Sequence, residues 1–136
     1  MRIVKTIGLF LTIIAICLQF SSCIKKESSS NDFIIKVDSI KAPDSVSSGT
    51  SFDIEFFGTI GFDGCNGFKT FNKVDKKNDI VIEAVGTYHS SSGTCPPQLV
   101  LLDGQKLNLI IVLPGTYRII IKEPEDFSIV EEITVI

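Results

Sequence analysis

The sequence predicts an all-β domain of two stacked sheets behind an export signal. Three observations predict it. Apolar and polar residues alternate in short runs: Phe52, Ile54 and Phe56 against Asp53 and Glu55; Ile80, Ile82 and Ala84 around Glu83; Tyr117, Ile119 and Ile121 against Arg118 and Lys122. That period of two marks half-buried strands. Turn signals recur every ~8–12 residues, the spacing of a sandwich of seven to eight strands. Beyond residue 22 no window repeats apolar residues at intervals of three and four, so helix is expected to be nearly absent.

The chain opens with Arg2 and Lys5, followed by an apolar core at residues 7–18. This is the pattern of an export signal. The core falls short of the roughly 20 apolar residues that cross a bilayer, and no later stretch matches it, so no spanning helix is expected after it. Phe20-Ser21-Ser22-Cys23 resembles the lipobox of bacterial lipoproteins, in the relaxed form of Bacteroidetes-type sequences, with Phe20 where Leu is commoner. The resemblance implies a diacylglyceryl group on the Cys23 sulfur, cleavage just before it, and attachment to a membrane through the acylated N terminus. Ile24, where an Asp would favour the inner membrane, implies the outer one. An ordinary cleaved signal with Cys23 as a spare thiol is the alternative. Residues 23–32 are polar and serine-rich and are expected to form a flexible tether, leaving residues 33–136 as the folded domain.

Removing residues 1–22 leaves about 114 residues, enough for one domain with a modest core. The 13 basic residues, less Arg2 and Lys5, then face 16 acidic ones, a formal charge of −5 against −3 for the whole sequence. That balance, with no basic cluster, argues against nucleic acid as a partner.

Cys65 and Cys95 are the remaining cysteines. An oxidising compartment makes a bridge between them plausible. It would close a loop of about 31 residues, with roughly 3.5 kcal/mol of stabilisation in the chain-entropy picture. Zinc would want four ligands at recognisable spacings. The chain offers one histidine, His89, and no C-x-x-C, so neither a metal nor a cofactor is expected.

The strands follow in order. Ile34 to Ile40 is β-branched and ends at Ala42-Pro43-Asp44, a turn signal. Phe52 to Phe56 is the clearest alternation, and Gly58, Gly61, Gly64 and Gly67 are expected to end it in a loop carrying Cys65. Phe68 to Val74 offers Phe71 to the core, and Asp75–Asp79 is a polar hairpin connection. Ile80 to Tyr88 alternates before a long loop at 89–97 holding Cys95. Leu99 to Leu102 precedes Asp103-Gly104, a tight-turn dipeptide. Leu107 to Leu113 ends at Pro114-Gly115, Tyr117 to Lys122 at Glu123–Asp126, and Ile129 to Ile136 closes the chain.

Ala42–Gly49 followed by Phe52-Asp53-Ile54, the Gly64-Cys65 and Gly93-Thr94-Cys95 pair, and Leu113–Ile119 together resemble immunoglobulin-like or fibronectin-type modules of bacterial surface proteins. The resemblance implies a single immunoglobulin-like β-sandwich over residues 33–136. It also implies a tyrosine corner at Tyr117, whose hydroxyl would meet nearby backbone. The sequence departs from antibody-type domains in having no Trp and no mid-strand cysteine pair.

Chemistry is sparse. His89-Ser90-Ser91-Ser92 brings a base and hydroxyls together without a nucleophile-elbow pattern. Asp63, Asn66, Asp75 and Asp79 are oxygen donors at spacings that match no calcium loop. Asp38-Ser39-Ile40 and Asp44-Ser45-Val46 resemble the O-glycan acceptor triplet of Bacteroidetes-type proteins, which implies modification at Ser39 and Ser45. Phe62 and Phe68, in the glycine-rich stretch around Cys65, are candidate ligand contacts; capping the end of the core is their alternative role. The expected function is therefore non-catalytic: an envelope-anchored binding or accessory module for an unidentified protein or glycan. An inhibitor or cap of an extracytoplasmic enzyme is the first alternative, and a small hydrolase the second.

Overall fold

The computed structural model describes residues 29–91 and 93–136. They form nine strands: β1 (Ser29–Ile34), β2 (Lys36–Lys41), β3 (Ser45–Val46), β4 (Ser51–Asp63), β5 (Asn66–Lys76), β6 (Asp79–Ser90), β7 (Pro97–Ile110), β8 (Gly115–Lys122) and β9 (Ser128–Val135). Among the described residues the sole helical element is one 3-10 turn at Pro124–Asp126. The all-β expectation holds, with nine strands where seven to eight were expected, since the short β3 pairs with β9 and β1 pairs with β6.

Strands β2, β4 and β7 make one antiparallel sheet in that order. The other sheet runs β3-β9-β8-β6-β5. Its central strand β6 has β5 along one side. On the other side β8 pairs with residues 79–82 and β1 with residues 85–90. The β6–β8 and β3–β9 pairs are parallel, so this sheet is mixed.

One core lies between the sheets. From one side come Val37, Phe52, Ile54, Phe56, Ile60, Leu102 and Leu109; from the other, Ile80, Ile82, Ala84, Tyr117, Ile119, Ile121, Ile133 and Val135. The alternation in β4 runs unbroken from Phe52 to Ile60. Each of these large side chains contributes about 1.5–3 kcal/mol by leaving water. Phe71 also packs as expected, its ring 4.5 Å from that of Phe56.

The fold departs from the sequence reading in four places. Residues 29–32, inside the expected tether, belong to β1, which adds to the free side of β6. The expected strand from Ile34 to Ile40 is two strands in different sheets. The chain changes sheet at fully buried Ile35, whose N–H donates to Ala84 O. Gly58 and Gly61 lie within β4 and do not end it. A Cβ on Gly58 would sit 2.5 Å from Lys36 O and 3.1 Å from Val37 Cα, so glycine there lets β2 approach closely. Asp103-Gly104 is not a turn either. Phe56 pairs with Gln105 and Phe57 with Asp103, leaving Gly104 (φ 72°) as the extra residue of a bulge within β7.

Candidate functional site

The candidate site is the end of the sandwich where β4 turns into β5. Two residues, Gly64 and Cys65, join these strands, which belong to different sheets. Asp63 builds the turn: its Oδ1 accepts the Cys65 N–H at 3.0 Å and the Asn66 Nδ2–H at 2.8 Å. This is the local carboxylate-to-backbone bonding that favours Asp in turns. Asn66 lies over Gly61, where a Cβ would come within 2.3 Å of the Asn66 side chain.

The loop between β6 and β7 is fastened to this turn. Gly64 N–H donates to Pro96 O and His89 N–H to Cys65 O, both at 2.8 Å. The Cys65–Cys95 disulfide crosses the same gap, with Cα atoms 5.4 Å apart, inside the usual range. Tyr88 Oη lies 3.2 Å from Cys95 Sγ, and buried Ser90 accepts the Gly93 N–H at 3.0 Å. The bridge read from the cysteine count is thus present. Asp63, Cys65 and Cys95 place their ligand atoms within 4.8 Å of one another, but both sulfurs are committed to the disulfide.

Phe62 and Phe68 have different fates. Phe62 is 80% exposed. Phe68 is half-buried and packs on the core, its ring 4.8 Å from that of Phe71 and tilted against it, the capping role weighed for both. Ser39 and Ser45 lie exposed on β2 and β3. Cys23 lies outside the described residues, as do the signal at 1–22 and the tether up to residue 28.

The remaining chemistry-bearing residues are dispersed. His89 is exposed on β6 while Ser90 beside it is buried and bonded to Gly93. The four oxygen donors split between opposite ends: Asp63 and Asn66 in this turn, Asp75 and Asp79 at the β5–β6 hairpin. There Asp79 is held by Arg118 through two bonds of 2.8 and 2.7 Å, and Asp75 pairs with Lys73 at 2.6 Å. Arg118 bonding holds the Asp79 carboxyl below the usual carboxylate range. Lys69 bonding does the same for Asp32, tying β5 to β1 across β6.

Sequence reasoning missed Glu123. Its side chain is buried (7% exposed), and both carboxylate oxygens accept the Val37 N–H at 3.1 Å, just past the sheet change at Ile35. Desolvation raises its pKa above the ordinary glutamate value, against the opposing pull of the Val37 bond. A cleft opens beside it, lined by Lys36, Asp38, Phe127 and Ile129. The turn that follows holds Glu125 and Asp126 at φ 63°, a left-handed conformation uncommon away from glycine. Glu-Pro-Glu-Asp signalled a turn, but no pattern signalled a buried carboxylate bonded to a strand 86 residues away.

The opposite end of the sandwich exposes a second apolar group: Val112 at 66%, Leu113 at 68% and Ile136 at 71%. Ser48 ties this rim together, its N–H donating to Ile136 O and its Oγ to Val112 O. No family model matches the chain, and neither a curated protein nor a solved structure is similar to it.

Proposed function

We propose that this chain is an extracytoplasmic lipoprotein of the outer membrane, held through Cys23, whose immunoglobulin-like sandwich acts as a non-catalytic binding or accessory module. The observation that carries the reading is the Cys65–Cys95 bond. A structural disulfide of this kind belongs to oxidising compartments, which agrees with the export signal at residues 1–22. Two features support the immunoglobulin-like reading of the sandwich. Tyr117 Oη donates to Leu113 O at 3.0 Å, in the manner of a tyrosine corner. The chain also crosses from one sheet to the other at Ile35. The parallel β6–β8 pair departs from the all-antiparallel form of that fold.

Binding is supported by where apolar surface is exposed. Phe62 at one end, Val112, Leu113 and Ile136 at the other, and Phe127 beside the Glu123 turn are the most exposed large apolar residues among those described. Exposed apolar groups gathered at loop ends mark interaction surfaces. The test is fractionation of cells producing the native chain or Cys23→Ala. The native protein should sediment with membranes and be released by detergent, and the variant should appear in the soluble envelope fraction. A variant that still sediments with membranes would overturn the anchor.

A further inference from the structure

We propose that the disulfide-stapled end of the sandwich faces the lipid surface, with Phe62 seated among the headgroups. The inference rests on the anchoring reading above and adds an orientation and a contact residue to it. Three observations carry it.

The first is the position of β1. Strand β1 begins at Ser29, which pairs with Ser90 at the stapled end. Five residues separate Cys23 from Ser29. Even fully extended they hold that end within about 20 Å of an acylated Cys23. The 13 residues of β4 make the body about 40 Å long, so in an upright domain the far end lies beyond that reach.

The second is charge. From Phe56 to Phe68 the one formal charge is Asp63, and its Oδ1 is occupied within the turn. Between Glu83 and Asp103 there is no Asp, Glu, Lys or Arg. The nearest ion pair, Lys69 with Asp32, neutralises itself. This end therefore approaches an anionic bilayer with little repulsion or desolvation of ions. Lys25 and Lys26 outweigh Glu27 in the connecting segment, and a net positive charge there is drawn to such a surface. The far end carries Asp75, Lys76, Lys77, Asp79 and Arg118.

The third is Phe62 itself. It is 80% exposed on a strand end fixed by the staple and the Asp63 turn. Leu99 and Leu101, also exposed, lie on β7, which pairs with this part of β4. An aromatic ring on a rigid, uncharged tip suits the interfacial zone of a bilayer.

The sequence contains no Trp, so single-Trp variants of the full acylated chain report position directly. Phe62→Trp and Val112→Trp, purified from membranes, would be placed in vesicles of phosphatidylethanolamine and phosphatidylglycerol carrying brominated acyl chains. Unfolding curves matching the native protein would confirm that both fold. The expected result is a blue-shifted, quenched emission for Phe62→Trp and a solvent-like, unquenched one for Val112→Trp. Vesicle-bound protein with Phe62→Trp unquenched, or with Val112→Trp the quenched variant, would overturn the orientation and leave the anchor standing. Protein that fails to float with vesicles and lacks an acyl mass on Cys23 would overturn both.

Discussion

Replacing both bridge cysteines, as Cys65→Ala with Cys95→Ala, should destabilise the domain by a calculable amount. The bonded residues are 30 apart in sequence. Cross-linking a loop of that length removes about 12 cal/mol/K of entropy from the unfolded chain, or about 3.5 kcal/mol at 25 °C. The folded state should change little. The turn and loop remain joined by Gly64 N–H to Pro96 O and His89 N–H to Cys65 O, which do not depend on sulfur. For residues 29–136 the unfolding entropy is about 0.23 kcal/mol/K, so the midpoint should fall by about 15 °C. Thermal unfolding followed by far-UV circular dichroism, with reductant on the native protein as a second route, reads this directly. Membrane attachment should be unaffected. A fall of less than about 5 °C by either route would mean that the bridge restrains little of the unfolded chain, contrary to the chain-entropy estimate.

Other outcomes follow from single contacts. Gly58→Ala places a Cβ against Lys36 O and Val37 Cα, and should cost about 1–3 kcal/mol in denaturant unfolding. Gly67→Ala, with nothing within 4 Å of its Cβ, should stay within about 0.5 kcal/mol of the native protein. Glu123→Ala leaves the buried Val37 N–H without its acceptor and should cost about 1–3 kcal/mol. Glu123→Gln keeps an acceptor and removes the buried charge. Because burial raises the Glu123 pKa in the fold, the stability this group lends is present when it is protonated and is lost as pH rises through that raised value. The stability of Glu123→Gln relative to the native protein should therefore fall as pH drops from about 7 to about 4. A pH-independent difference would show that the carboxylate is not penalised.

Much of the body was legible because its strands are half-buried. Phe52 to Ile60 and Tyr117 to Ile121 face a core on one side and water on the other, and the alternation records it. The Cys65–Cys95 pair was legible by elimination. What escaped depends on partners distant in sequence. Polar residues 29–32 form a strand because the free side of β6 accepts them. Gly58 and Gly104 looked like terminators, yet one admits a neighbouring backbone and the other supplies a bulge. The parallel pairing of β6 with β8 leaves no local mark in either strand. At the candidate site, a glycine-rich run with two phenylalanines was visible, but which ring packs inward is decided by Phe71 in β5.

The anchor at residue 23 is tested most directly by the mass of the N-terminal peptide of the protein isolated from membranes. That peptide should start at Cys23 and carry a diacylglyceryl group on its sulfur. A peptide that starts at another residue, or a free thiol at Cys23, would contradict it.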